Sequence, residues 1–503
     1  MKVLGISAGF HDASVSVIED NQILFAAHSE RYSKKKHDEH LDVQMVHAAL
    51  AFGMPDVVSY YERPWLKKTR QLFAGQYSDA FNMDDISVQK YLQTHCPTIE
   101  FAPTTKFVHQ SHHLSHAAAA FQTSPFYKAT VVIIDAIGEW DTISIIGAHF
   151  TTSGFAEYKT LWKQRYPHSI GLMYSAMTKR VGLRPLDEEY ILMGMAAYGS
   201  SRHYTYMKEG LMSDEDNLVF STNLHRGTGP DYIVRDSDVK QHEFDIAASA
   251  QSFVERLIQN VMQKAKDFNW SNNLVYSGGV ALNCSANRNL GYYFDNIWIM
   301  PNPGDAGSSL GAAALVYGKQ LDWQGPYLGK DIPGEYPVQQ IIDELITHKI
   351  AGVASGRAEY GPRALGNRSL LADPRGDTIK DRVNEIKRRQ KFRPFAPVIL
   401  AEFAHVYFNL PPCWNESPYM QVTSTCLTPM EFPAIIHADG TSRVQTVSPD
   451  CKSGIRQLLE QWYKRTGCPM LLNTSLNIRG EPVVNDRDDA VRFEQTYGVK
   501  VFS

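Results

Sequence analysis

The stretch Val3–Asp20, VLGISAGFHDASVSVIED, is apolar and β-branched on both sides of a small polar turn, and it predicts a β-hairpin. Gly5, Gly9, His11, Asp12 and Ser14 populate the turn, where backbone N–H groups can approach phosphate oxygens closely. QILFAAHSERYS, from Gln22 to Ser33, predicts the next strand. The same plan recurs at Ala129–Ile146, ATVVIIDAIGEWDTISII, as strand, acidic turn containing Gly138, strand. One such hairpin is an ordinary element. Its recurrence points to a duplicated fold.

Two hairpins of this kind are what a duplicated, actin-like ATPase core presents to a nucleotide. Between them lies HQSHHLSHAAAA, residues 109–120, an alanine-rich stretch that predicts a helix. His112 and His116 stand four apart, so both imidazoles project from one helix face and can grip a single metal ion. His113 faces elsewhere and is assigned no role. Asp135 closes an apolar strand, the arrangement that delivers a carboxylate to the crevice of an open α/β sheet. Further on, SIGLMYSAMTKRVG and EEYILMGMAAYG predict packed helices, and Asp245–Phe268 a long amphipathic one. The strand LVYS then runs into Gly278 and Gly279 and a helix opened by Asn283, an arrangement suited to an adenine or ribose. After the strand NIWIM, PNPGDAGSSLGAAAL places Asp305 in a Gly/Pro loop before a small-residue helix, making it the candidate for the remaining metal carboxylate.

From Gln320 to Pro337 the chain is rich in Gly, Pro and Tyr and reads as a linker, with a second α/β segment starting at Val338. There Arg363, Arg368, Lys391, Arg393, Arg443 and Arg479 fall in or beside Gly, Pro or Asn turns, where long cations can converge on phosphates or carboxylates. Arg382, Arg388 and Arg389 read as solvated cations of a helix face.

At 503 residues the chain should hold about two to four domains. Its 43% hydrophobic and 21% charged content is that of a globular protein, and a net charge of −4 argues against a nucleic-acid surface. The six cysteines, at 96, 284, 413, 426, 451 and 468, form no CxxC pair, so neither a disulfide framework nor a zinc ribbon is expected. A reduced, cytoplasmic protein is expected, with no signal peptide and no membrane span.

The motifs FHDAS (10–14), ERYSKKKH (30–37), HHLSHAAAA (112–120), DAIGE (135–139), LMGMAAYG (192–199), SGGVALN (277–283), GDAGSSLGAA (304–313), GPRALGNRSLL (361–371), RPFAP (393–397) and NTSLNIRGEP (473–482) occur in an order that resembles the NodU/CmcH family of O-carbamoyltransferases. The resemblance spans nearly the whole chain. It implies an α/β protein with an N-terminal actin-like (ASKHA) domain over 1–330, similar to the tRNA threonylcarbamoyl transferases, and a C-terminal YrdC-like domain over 338–503. It implies two-step chemistry, in which carbamoyl phosphate and ATP give carbamoyl adenylate in the second domain and the first passes the carbamoyl group to a hydroxyl of a small acceptor. Arg363, Arg393 and Arg479, with Mg²⁺ beside the ATP, would serve the first step. Arg368, Lys391, Arg443, Asn473, Ser475 and Asn477, together with Gly138, Gly278, Gly279 and Asn283, would bind phosphate and nucleotide. His112, His116, Asp135 and Asp305 would hold Fe²⁺, with Zn²⁺ as the alternative, and His11 or Asp12 would take the acceptor's proton. Because a carbamoyl adenylate hydrolyses readily, a closed passage between the two sites is expected.

The chain departs from the family pattern in three places. Ala136 replaces a glycine, Tyr190 and Ile191 replace the usual Gly-Lys, and the chain stops soon after VKVFS, where one closing strand is expected to be missing. The rival readings are a sugar kinase, which leaves the histidine pair unexplained, and a tRNA threonylcarbamoyl transferase, against which the net charge argues. The acceptor is not written in any transferable motif, and its specificity segment is placed within 145–245. A homodimer is the default expectation.

Overall fold

The computed structural model describes residues 1–228 and 239–503, so part of the 145–245 segment lies outside the described residues. The first hairpin forms as expected. β1 (Lys2–Ser7) and β2 (Ser14–Glu19) pair antiparallel, with Lys2 opposite Glu19 and Ser7 opposite Ser14, and β3 (Gln22–His28) extends the meander. On its other side β1 pairs parallel with β4 (Val57–Tyr60), and β4 with β5 (Lys106–His109), giving the order β3-β2-β1-β4-β5. The second hairpin builds the same sheet again. β6 (Lys128–Gly138), β7 (Asp141–Phe150) and β8 (Ala156–Arg165) form the meander, and β6 continues in parallel to β9 (Asn273–Ser277) and β10 (Asn296–Trp298). Two sheets with one strand plan are the duplication that the hairpins predict. The VVII run of β6 is buried throughout, as a strand covered on both faces must be.

Each half carries one helix directly after its last parallel strand. α1 (His112–Phe121) follows β5, and α2 (Ile170–Arg180), α3 (Glu189–Ala196) and α4 (Val239–Asp267) precede β9. α5 (Ser308–Tyr317) follows β10 and packs against α1 between the sheets. The contact is backbone to backbone: a Cβ on Gly311 would lie 1.7 Å from the Ser115 carbonyl oxygen, and one on Gly5 would lie 1.9 Å from that of Ser309. Small residues are required wherever two main chains approach this closely.

The expected linker contains a strand. β11 (Tyr327–Ile332) pairs directly and antiparallel with β13 (Gly356–Glu359), with Ile332 opposite Gly356 and Tyr327 opposite Glu359, while β12 (Ile350–Ala354), between them in sequence, belongs to the sheet of the second half. Leu328 and Ile332 are buried, and Arg357 donates to the carbonyl of Leu24 on β3 at 2.6 Å, tying this ribbon to the first sheet. The Gly and Pro content hides the strand because its pairing is set by a partner and not by local propensity. β14 (Arg368–Ala372), α7 (Ile379–Ile386), β15 (Ala396–Leu400), β16 (Gln445–Val447), α8 (Ile455–Thr466), β17 (Met470–Ser475), α9 (Arg487–Tyr497) and β18 (Val501–Phe502) complete the second half, with α6 (Val338–His348) at its start. Its sheet runs β16-β15-β17-β14-β12-β18 and is mixed. Val501–Phe502 itself forms an edge strand, parallel to β12. No helix among the described residues is long and apolar enough to cross a membrane.

Arg368 is not a ligand-binding residue. It opens β14 fully buried, and its guanidinium donates to the carbonyls of Lys330, Ser355, Gly356, Asn367 and Asn485 at 2.9–3.2 Å, so its donors are consumed by the main chain. Arg368→Ala is expected to cost about 3 kcal/mol or more, because hydrogen bonds to a charged group are worth about 1.5–3 kcal/mol each and buried carbonyls lose their partners. Chemical denaturation of the two proteins measures this. Arg368→Lys should restore little, since an ammonium brings three donors that cannot span the fork.

Candidate active site

The duplicated halves meet at four buried side chains. His112 and His116 point from the first turns of α1, Asp135 comes from β6, and Asp305 from the turn that opens α5. The two Nε2 atoms are 3.1 Å apart. His112 Nε2 lies 3.2 Å from Asp135 Oδ2 and 3.4 Å from Asp305 Oδ1, and His116 Nε2 lies 3.2 Å from Asp305 Oδ1. All four ligand atoms fall within 4.8 Å of one another. The far ring nitrogens face acceptors: His116 Nδ1 is 3.2 Å from the Pro303 carbonyl and His112 Nδ1 is 3.6 Å from Glu62 Oε2. With the ring protons turned outward, two imidazole lone pairs and two carboxylates converge with no donor among them. That donor set fits a divalent cation held by outer acceptors in the usual way. Burial opposes charge on His112, yet Asp305 and Asp135 raise it well above the ordinary imidazole range.

His11 and Asp12 stand beside this quartet at the tip of the first hairpin. His11 Nδ1 bonds Asp12 Oδ2 at 2.9 Å, and its Nε2 is 3.8 Å from Asp305. Asp12 is gripped on its other oxygen by His37, from the ERYSKKKH stretch, whose Nε2 reaches Asp187 at 2.6 Å. His113 bonds Ser144 at 2.7 Å and stays out of the cluster.

The second set of functional side chains gathers in the C-terminal half. Glu359 Oε1 accepts from the N–H groups of Leu365, Asn367 and Arg368, folding the GPRALG segment into a loop that presents Arg363. Arg393, Arg443 and Arg479 converge with it, as expected, and so do Asn473, Ser475 and Asn477. Two cations not anticipated join them. Lys387 is buried and donates to Asn477 O and Oδ1 at 2.9 and 3.0 Å, fixing the NTSLN turn. Arg389, expected to be solvated, is half-buried instead, bonded to Asn384 at 2.7 Å and 4.2 Å over the Phe395 ring. α7 ends at Ile386, where Asn384 takes the carbonyls of Lys391 and Arg393 and turns the chain inward. The helical period therefore stops before these residues, which is why sequence reasoning placed them on a solvated face. Lys391 is corrected in the opposite sense: it is exposed and pairs with Glu385 at 3.4 Å. Burial, followed by neighbouring guanidiniums, lowers Lys387 and Arg389 well below their ordinary ranges, and burial with Arg443 lowers Arg363 to about 9. Such a cluster is built for an anion.

Both sets open onto one cavity of about 710 Å³, which Asp135, Asp305, His11 and Asp12 line at one end and Arg363, Arg393, Arg443 and Arg479 at the other. Gly279 and Asn283 line it as well, the Gly279 N–H donating to Asp135 Oδ1 at 3.3 Å. Residues 2–314 match the family model of the carbamoyltransferase N-terminus, and residues 342–502 that of the carbamoyltransferase C-terminus. The chain belongs to the carbamoyltransferase family. As a member it is a transferase, and O-carbamoyl transfer is the family's chemistry. It is similar to an uncharacterised protein of Synechocystis sp. (34% identity, 97% of this chain and 93% of that one). It is likewise similar to the nodulation protein NolNO of Sinorhizobium fredii (32%, 96% and 76%) and to the 3'-hydroxymethylcephem-O-carbamoyltransferase of Amycolatopsis lactamdurans (27%, 97% and 95%).

Two glycines expected to touch a cofactor in this carbamoyltransferase have packing roles instead. Gly278 (φ +92°) would place a Cβ 2.3 Å from the Ile134 carbonyl, so it lets β9 turn against β6. Gly138 would place one 2.3 Å from Cδ2 of His112 and 2.7 Å from that of His113. Its bareness seats both rings. Glu139, next in the chain, accepts from the N–H of Arg63 at 2.8 Å and faces that of His112 at 3.4 Å, closing the start of α1. Gly171 packs on the main chain at Ala136, where a Cβ on Gly171 would lie 2.8 Å from the Ala136 backbone. Gly138→Ala should therefore push the His112 ring out of place. Carbamoyl transfer should fall about a hundredfold, as misplacing a reacting group by about 1 Å does, while far-ultraviolet circular dichroism stays unchanged.

Proposed function

We propose that the chain is an ATP-dependent O-carbamoyltransferase that works in two steps within one cavity. Water cleaves carbamoyl phosphate to carbamate and phosphate at the arginine end, a carbamate oxygen attacks the α-phosphorus of ATP to give carbamoyl adenylate with pyrophosphate leaving, and the carbamoyl group then passes to a hydroxyl of a small acceptor at the histidine end, releasing AMP. The observation that carries this reading is the single cavity shared by a buried cation cluster and a buried His/Asp quartet. Guanidiniums gathered in a half-buried site with a single carboxylate partner among the described residues bind phosphoryl oxygens strongly and stabilise charge that develops on them. Asn473 adds a buried Oδ1 that lacks a partner and can accept from the carbamoyl amide, a donor that phosphate does not have. A second α/β half with this chemistry fits a YrdC-like domain, and the duplicated half fits the actin-like one.

His112, His116, Asp135 and Asp305 would hold a divalent metal. Fe²⁺ suits two imidazoles and two carboxylates, and Zn²⁺ is the alternative. Bound there, the metal supplies Lewis-acid polarisation of a carbonyl or phosphoryl oxygen. His11, fixed by its Nδ1 hydrogen bond to Asp12, takes the acceptor's proton at Nε2, the ring nitrogen on the Asp305 side. Asp12 is fixed for this by His37. Gly279 and Asn283 line the path at which AMP is held as it leaves. Mg²⁺ accompanies ATP at the arginine end.

Several variants separate the steps. His116→Ala should lose the bound metal in elemental analysis while melting normally, and full metal content in that variant would refute the ligand set. Asp305→Asn should still release pyrophosphate when given ATP and carbamoyl phosphate, yet carbamoylate nothing. Arg363→Ala should lose pyrophosphate release about a hundredfold or more. Equal loss in both variants would show one indivisible site, and ADP in place of pyrophosphate would show a kinase.

A further inference from the structure

One short segment of the N-terminal half touches the functional side chains of both ends of the cavity. Asp187 bonds His37 at 2.6 Å, Glu188 bonds Arg479 at 3.1 Å, and the Tyr190 ring lies under the Arg393 guanidinium at 4.9 Å. That ring comes from the N-terminal half of the chain. It lines the cavity and lies in the field of Arg363 and Arg389 as well as Arg393. Among the described residues Glu188 is the one carboxylate paired with the arginine cluster, and it is buried where Arg479 is partly exposed.

We propose that the start of α3 forms the N-terminal wall of the anion site, with Tyr190 as a positioning residue that holds Arg393 by stacking and Glu188 as the resident counter-ion of Arg479 that an incoming phosphoryl group displaces. The inference rests on the arginine end being the anion site. Its physical basis is exchange. An arginine among other cations is repelled from the place where its charge is needed, and an aromatic face under the guanidinium plane holds it there without consuming its in-plane donors. A carboxylate on Arg479 neutralises one of the six cations that the empty site gathers, and it gives way to a phosphoryl group because that group meets several guanidiniums at once. The two residues therefore act with opposite sign: the ring favours the anion and the carboxylate competes with it.

Calorimetric titration of the full chain with inorganic phosphate and with carbamoyl phosphate tests this, alongside the kinetics of pyrophosphate release. Glu188→Gln, which keeps the hydrogen bond and removes the charge, should tighten phosphate binding about tenfold. Tyr190→Leu should weaken it about three- to tenfold and raise KM for carbamoyl phosphate at unchanged kcat, while Tyr190→Phe, which keeps the ring, should match the parent. Thermal melting identifies any variant that fails to fold, and the opposite signs cannot both come from general damage. Weaker binding in Glu188→Gln, or equal behaviour of the Leu and Phe variants, overturns the proposal. If Arg363→Ala abolishes phosphate binding while these variants leave it unchanged, only the wall assignment fails. If Arg363→Ala binds as the parent does, the anion-site reading fails and takes the wall assignment with it.

Discussion

The geometry of the His/Asp quartet depends on how closely α1 and α5 approach. These helices occupy equivalent places in the two duplicated halves and touch through main chain, with Gly311 against the Ser115 carbonyl. Because His112 and His116 belong to one helix and Asp305 opens the other, the helix separation sets the distance between imidazole and carboxylate. A single methyl group at Gly311 would have to part the helices or bend one of them. The run of alanines after His116 therefore belongs to the site as much as the histidines do, although it contacts no ligand.

The cavity concentrates opposite electrostatic demands at its two ends. Two buried carboxylates at one end raise the proton affinity of the histidines beside them, and at the other end buried guanidiniums depress one another. The cations crowded at the arginine end are relieved by an anion, so an anion bound there stabilises the folded protein. The cores beneath, built from β6, β9 and α4 on one side and the mixed sheet on the other, hold these groups in place against their mutual repulsion.

Much of this was legible in the sequence, for reasons that can be named. The hairpin pattern is a period-two signal repeated in the chain, and it gave the duplicated sheets. His112 and His116 were readable because helical spacing alone puts them together, and Asp135 and Asp305 because each ends a strand or begins a helix. Long-range closure was less legible. Arg368 and Arg363 lie in the same motif, and only the fold shows that one faces backbone carbonyls and the other the cavity. Gly138 and Gly278 were recognised as special, but whether a bare Cα faces a ligand or an imidazole depends on elements far away in sequence. Lys387 and Arg389 were lost because a helix-like composition continues past the residue where Asn384 ends the helix.

The ribbon of β11 and β13 joins the halves in a way that bears on how such chains are inherited. β11 takes its hydrogen bonds from the second half and packs on β3 of the first, while Arg357 reaches across to Leu24. A recombination event between Gln320 and Pro337, where composition alone would place a boundary, would part a strand from its partner. The two halves are thus joined through a shared ribbon, and neither is a self-contained piece that could be exchanged at that point.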